Sequence, residues 1–443
     1  MIDFKEKIIS AIESNKNTII KNSELKKEYY NLFKKMDAPT EGHLDFKNTP
    51  KDFFKNFDYK IYDKEYNYNN LLDYSKYLPK YILNQKANIL VLINGYFSTE
   101  HSKIVSEQLK ACSLNKKVAE DYPDVAKYFL TYAERHENPL TVLNVVLALD
   151  GLFIKIPKDT KIDEPIFIIS IVTEQTEKYL FNQRLLIVAE ENSQAKIFEK
   201  RVSESQEDSI LLQIKELHQS ENSNIDYYNL SNYNLSKNKF VDSNQAKFST
   251  LTGNEYSGEA NSVVNVFSLS TNVDFCRSRT NIRMSGANSE ANIYVLSFTK
   301  GAGIVDSRTL VEHDVSYSRC NQIIKAIADG KSKFIYTGKV DIVDGIKKID
   351  SHQNIRAIQL SDYAEIICEP QLEIYADDVV CTHGAAIGNT DENLLFYLQS
   401  RGISEKESFS LLLTAFAGEI YDKINIPELR EELILEFINT IQD

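Results

Sequence analysis

From residue 150 to about 388 the chain is a succession of short runs rich in Ile, Val, Tyr and Thr, each bounded by Gly, Asn, Asp or Ser. The clearest of them are ANIYVLSF from 291, VDSRTLVEH from 305, NQIIKAIA from 321 and FIYTGKVDI from 334. KIDSHQNIRAI from 348, AEIICEPQLEI from 364 and DVVCTHGAAIG from 378 continue the series. Successive starts lie about 13 to 16 residues apart, so every second run recurs at roughly 27 to 30 residues, a period that marks a solenoid. Within a run, Phe334, Tyr336 and Gly338 alternate with Lys333, Ile335 and Thr337, as burial of one strand face requires. A β-sandwich also repeats short strands, but at the closer spacing of about 8 to 12 residues. The spacing favours a two-sheet parallel β-helix in which each turn gives one strand to each sheet.

The flanks read differently. Before the β region, Phe4, Ile8, Ile9 and Ile12, and then Leu25, Tyr29, Leu32 and Phe33, recur at helical spacing. NILVLINGYF (88 to 97) reads as a buried strand closing on an Asn-Gly turn. AKYFLTYAER (126 to 135) and LTVLNVVLAL (140 to 149) read as helices. After Gly388, Thr390 is a candidate N-cap for DENLLFYLQSRG (391 to 402), with Gly402 as C′. Ser404 with Glu407 predicts a capping box for a helix carrying Phe409, Leu412, Leu413 and Phe416 on one stripe. Pro427 can sit at the first position of a last helix bearing Leu429, Leu433, Phe437 and Ile441. The expected organisation is a mainly helical region over 1–145, the β-helix over 146–388 and a helical region over 389–443. The last region either caps the solenoid or docks a partner.

Composition narrows the function. The net charge of −13 and the 11% aromatic content describe an acidic globular protein, which disfavours nucleic acid and anionic membranes as partners. The first residues, MIDFKEKIISAIESNKNTII, contain no continuous apolar core of a signal peptide, and no long apolar run follows. A cytoplasmic location is expected. Five cysteines, Cys112, Cys276, Cys320, Cys368 and Cys381, are widely spaced and include no Cys-x-x-Cys, so they are expected to be free thiols. There is no Walker A loop, no Gly-x-Ser-x-Gly and no His-Glu-x-x-His.

The stretch EIYADDVVCTHGAAIGN (373 to 389) holds the densest chemistry. Read as a strand, it sends Asp377 and Asp378 to opposite faces and sets Cys381 and His383, at i and i+2, on one face. A thiol and an imidazole are metal-ligand types, but two donors are half the usual set of four. A buried thiol beside a hydrogen-bonded imidazole fits the same letters. Cys368, among apolar neighbours in EIICEP, reads as core. A β-helix enzyme acting on acidic carbohydrate would concentrate Lys, Arg and Asp at one repeated position, and no such concentration is seen. A stand-alone metal-binding protein using Cys381 and His383 is a further reading.

The segment QLEIYADDVVCTHGAAIGNTDENLLFYLQSRGIS (371 to 404) closely resembles the C-terminal signature of the SufB/SufD family, scaffold proteins of the SUF iron–sulfur cluster assembly system. Cys-x-His-Gly-Ala followed by Tyr-Leu-x-Ser-Arg-Gly-Ile is similar to the SufD branch. INGYFS (93 to 98), LNVVLALDGLFIKIPKDTKIDEPIFI (143 to 168) and DSRTLVEHDVSYSRC (306 to 320) resemble further family landmarks in the same order. APTEGHLDFKNTP (38 to 50) departs from the family's N-terminal pattern by lacking its tryptophan. The resemblance implies a right-handed parallel β-helix and a non-catalytic scaffold role. It implies pairing with a SufB-like paralogue and docking of a SufC-like ABC ATPase, or a homodimer when the chain is alone. It places Cys381 and His383 at the paralogue interface, where a transient iron–sulfur cluster or iron would take its other ligands from the partner. No cofactor held tightly by this chain alone is implied. Leu394, Tyr397, Leu398, Arg401, Phe409, Leu412 and Phe416 become the candidates for ATPase docking.

Overall fold

The computed structural model describes residues 4–15, 19–20, 23–37, 46–49, 57–64, 72–114, 125, 128, 138–232, 247–271 and 273–442. The expected helix over 126–135 and most of the divergent stretch 38–50 lie outside them. The β region is a parallel solenoid with two sheets of ten strands each. The first sheet carries Leu152–Ile156, Tyr179–Ala189, Ser209–Gln219, Phe248–Gly258, Phe275–Met284, Ile304–His313, Lys333–Ile342 and Glu365–Ile374. Ile166–Val172, Gln194–Ser203, Asn224–Asn232, Val263–Thr271, Glu290–Thr299, Arg319–Ala328, Ile349–Gln359 and Val379–Gly388 alternate with these in the second sheet. Each strand pairs in parallel with the strand two ahead: Ile304 faces Lys333, and Glu290 faces Arg319.

The chain turns between sheets at repeated corners. Asn192, Asn222, Asn261 and Asn288 all take φ near +58°, a left-handed conformation that asparagine tolerates better than most residues. Their amides form a ladder, with Asn222 Nδ2 donating to Asn192 Oδ1 at 3.0 Å and Asn288 Nδ2 to Asn261 Oδ1 at 3.2 Å. A buried serine follows each of them. Ser223 Oγ and Ser262 Oγ donate to the carbonyls of Ser220 and Glu259, closing the corner.

Inside the solenoid, alternate residues of both sheets form one apolar core that includes Phe181, Leu217, Tyr227, Val266, Ile293, Ile324 and Phe334. Both outer faces are covered as well, so the early strands are buried on two sides rather than one. Helices α1 (Phe4–Ser14) and α2 (Glu24–Lys35) form a single apolar cluster with the outer side of the first sheet. The short helix α3 (Lys80–Leu83) belongs to the layer over the second sheet, and α4 (Pro139–Leu147) lies against the first. Asn144 of α4 donates to Asn182 and to the Gln183 carbonyl of that sheet, at 2.8 and 2.9 Å. Beyond the last strand come α5 (Glu392–Ser400), α6 (Glu405–Tyr421) and α7 (Pro427–Gln442). Helices α6 and α7 fold back onto the second sheet, where Phe198, Tyr228, Phe267 and Tyr294 stack along the ladder at 4.6–4.8 Å. No described helix is long and apolar enough to cross a membrane.

Local signals set the ends of these helices. The predicted box at Ser404 and Glu407 is formed, and Gly402 takes φ +87° after α5. The cap of α5 is Asp391 rather than Thr390: its Oδ1 accepts from the amides of Asn393 and Leu394, at 2.9 and 3.2 Å. A carboxylate at the N-terminus also meets the helix dipole, which a threonine does not. The Asn-Gly turn at 94–95 is present, with φ of +53° and +93°, and joins Asn88–Ile93 to Tyr96–Lys103 in an antiparallel hairpin.

Candidate functional site

The interior changes character along the solenoid. Near its beginning the lumen holds a closed ion network. Glu199 accepts from Arg201 at 2.6 Å, Lys215 at 3.1 Å and the Tyr227 hydroxyl at 2.7 Å, with Gln213 also bonded to it. Every member is buried. Burial alone would raise the Glu199 pKa, but Arg201 and Lys215 hold it below the usual carboxylate range. Toward the other end the lumen is polar but uncharged. Tyr336 donates to Gln322 at 3.1 Å, Gln353 donates to the Tyr336 hydroxyl at 3.1 Å, and Thr309 donates to Gln322 at 2.9 Å.

The last turn of the solenoid lies directly beyond that layer. Register places His383 over Gln353, Cys381 over Ser351 and Cys320, and Cys368 over Tyr336. All of these continue inward-facing columns, so Cys381 and His383 do share a face, and that face is the mouth of the lumen. No turn follows to cover it. Gln353 and Ile355 are buried, at 2% and 0% exposure, whereas His383 and Ala385 in the same columns are exposed, and Ile387 is 47% exposed. Glu365–Ile374 and Val379–Gly388 are the edge strands of their sheets, each paired on one side only. An edge strand with unpaired amides and carbonyls is a template for another strand.

The mouth carries soft donors in an unreactive state. Burial and the nearby Asp350 raise the Cys381 pKa, opposed by the Ser351 backbone amide. Burial pushes Cys368 up to about 11. Both are thiols rather than thiolates near neutrality, and a thiol is neither a good nucleophile nor a metal ligand. Among the described residues no group of three or more His, Cys, Asp and Glu side chains is arranged to hold a metal ion. The mouth therefore offers donors without a complete ligand set.

The aspartate pair behaves differently from the strand reading. Asp377 and Asp378 lie in a bend before Val379, where strand parity does not apply. Asp378 is tied to Lys348 at 3.0 Å. Cys368, read from sequence as core, is lumen-facing and packs against the interior cluster, yet stays half-buried because it sits in the uncovered turn. The parity applied to Cys381 and His383 would have found it in EIICEP.

The proposed docking residues separate into two groups. Leu394 and Tyr397 of α5 are 43% and 52% exposed, Arg401 stands 5.1 Å over the Tyr397 ring, and Leu398 is half-buried. Phe396, which sequence reasoning did not single out, is 72% exposed beside them. Phe409 and Phe416 of α6 pack instead against the apolar layer over the second sheet, and Leu412 is half-buried. Lys325 of that sheet meets Glu419 at 2.6 Å and lies 4.4 Å from the Phe416 ring, fixing α6 in place.

Among the described residues, a two-sheet parallel solenoid carries helical layers on both outer faces and a thiol and an imidazole at the uncovered mouth of its last turn. Two family models match in succession: "SufBD protein N-terminal region" over residues 2–168 and "SUF system FeS cluster assembly, SufBD core domain" over 171–416. The chain belongs to the SufB/SufD family of SUF iron–sulfur cluster assembly. It is 31% identical over 158 residues to the iron–sulfur cluster assembly protein SufD of Escherichia coli, spanning 36% of this chain and 37% of that protein. A longer match, 25% over 370 residues, covers 80% of this chain and 78% of a SufBD family protein of Synechocystis. SufD of Bacillus subtilis is 25% identical over 313 residues, covering 70% of this chain and 69% of its own length.

Proposed function

We propose that this chain is a non-catalytic scaffold subunit that pairs, through the open end of its solenoid, with a homologous SufB-like solenoid. The uncovered last turn carries this reading: two edge strands lack an outer neighbour, and the only inward-facing imidazole of that turn lies beside a thiol. A second solenoid abutting this end would continue both sheets, exclude water from the mouth and supply the donors that Cys381 and His383 lack. A nascent iron–sulfur cluster, as cargo, would be held between the subunits. An incoming cation would also favour the thiolate of Cys381, which burial now disfavours.

The exposed Leu394, Phe396 and Tyr397 of α5 stand next to the same end and supply an apolar surface for a SufC-like ATPase. Hydrolysis there could then act on the solenoid junction through the α5–α6 connection. The test is co-expression of the three proteins under anaerobic conditions, followed by iron and sulfide analysis of the isolated complex. Cys381→Ala with His383→Ala should leave the complex intact and lower its cluster content. A Phe396→Asp, Tyr397→Asp pair should release the ATPase alone. A double variant of Cys381 and His383 with unchanged cluster content would remove these residues from the assembly site.

A further inference from the structure

Lys200 and Lys325 lie in one column on the outer side of the second sheet, linked by the register Lys200, Leu230, Leu269, Leu296, Lys325. Both are buried beneath the C-terminal helices, at 5% and 4% exposure. Lys325 is closed by Glu419 at 2.6 Å. Lys200 makes no hydrogen bond or ion pair among the described residues, and Glu436 and Glu432 act on it only at longer range. Glu432 is already committed, its two oxygens accepting from the amides of Lys80 and Tyr81 at 2.7 and 2.9 Å. Lys200 is thus a deeply buried lysine with no committed ion pair, which is costly, and its ammonium is not fully enclosed but opens on the cavity beside it, which Glu432 and Glu436 also line.

Space is available for a partner. Lys200 lines a cavity of about 520 Å³ between α7, the segment around α3 and the second sheet. Leu230, Leu269, Tyr421, Leu433 and Phe437 supply an apolar wall. That volume falls in the range of small-molecule sites, on the order of 300–1,000 Å³, which are mostly apolar with a few placed polar groups. We infer that this cavity binds an apolar molecule ending in one carboxylate, whose head group pairs with the Lys200 ammonium as Glu419 pairs with Lys325. The site lies on the flank of the solenoid, away from the open mouth, and is independent of the scaffold reading.

The experiment uses the full chain with laurate and dodecanol, which share an apolar tail and differ in the head group, measured by calorimetric titration below their aggregation concentrations. Laurate should bind saturably and about tenfold or more tighter than dodecanol, as a charge-assisted hydrogen bond implies. Lys200→Met should abolish that preference, and Lys200→Arg should keep it. Leu269→Trp, filling the cavity, should weaken both ligands. Lys200→Met should also melt no lower than the parent, since it removes an unpaired buried charge, and this reports that the variant is folded. Absence of saturable laurate binding would overturn the proposal. So would equal affinity for the two ligands, or a laurate preference that survives Lys200→Met.

Discussion

The two ends of the solenoid meet the same problem, unpaired strand edges, with different means. At the N-terminal end the second sheet is closed by the antiparallel hairpin of Asn88–Ile93 and Tyr96–Lys103, and the first by Lys110–Ser113 set antiparallel to Leu152–Ile156. The lumen behind them is filled by the Glu199, Arg201 and Lys215 network. At the C-terminal end Glu365–Ile374 and Val379–Gly388 have no outer neighbour, and their inward columns end on Cys368, Cys381 and His383. The antiparallel strands at the N-terminal end interrupt the parallel register, whereas at the C-terminal end that register runs to the edge and is offered for continuation. This difference is what motivates the proposal of association at the C-terminal end.

That contrast can be broken by substitution. Glu199→Ala leaves Arg201 and Lys215 buried without their counter-charge, and it should cost about 3–5 kcal/mol in denaturant unfolding. A loss below 1 kcal/mol would show that the closed lumen does not depend on the ion network. Next in size is a pH effect from His313, whose pKa burial lowers to about 4. The unfolded chain takes up a proton near pH 6.5 that the folded chain refuses. Stability should therefore be complete above pH 6.5 and fall by about 3 kcal/mol as the pH drops toward 4. Comparing parent and His313→Gln between pH 7 and 4 isolates the term, and parallel pH profiles would contradict it.

A smaller effect is expected at the corners. Asn222→Ala loses the ladder bond to Asn192 and forces alanine into a left-handed conformation, for about 1 kcal/mol. The smallest should come from the open end. His383→Ala removes an exposed side chain, and Cys381→Ser changes one half-buried atom packed against the small cluster of Val340, Ile342 and Ile349, so each should change stability by less than about 1 kcal/mol. A large loss from either would make the mouth part of the folded core rather than an interface.

Much of this was legible in the residues. Runs such as NQIIKAIA and FIYTGKVDI carry the period, and the period carries the two-sheet architecture. Strand parity alone puts Cys381 and His383 on one face. What escaped depended on which residues meet across turns of the solenoid. The lumen network joins Glu199 to Lys215 and Tyr227, from three different strands, and no local pattern reveals that meeting. The Asn-Ser pairs at 192, 222, 261 and 288, each just before a strand of the second sheet, are a local signal in the residues that fits the left-handed corners found there. Asp377 and Asp378 escape strand parity because a bend breaks the strand there. Lys200 gave no signal, because its meaning depends on a helix that returns from more than 200 residues away in sequence (roughly a solenoid's length).

The central claim is that Val379–Gly388 is a pairing edge. Hydrogen–deuterium exchange of this chain, alone and mixed with its SufB-like paralogue, tests it at the strand itself. The account predicts that amides of Val379–Gly388 and Glu365–Ile374 exchange quickly in the free chain and become protected on mixing, with the N-terminal hairpin unchanged. Protection that appears elsewhere while these two strands exchange as before would contradict it.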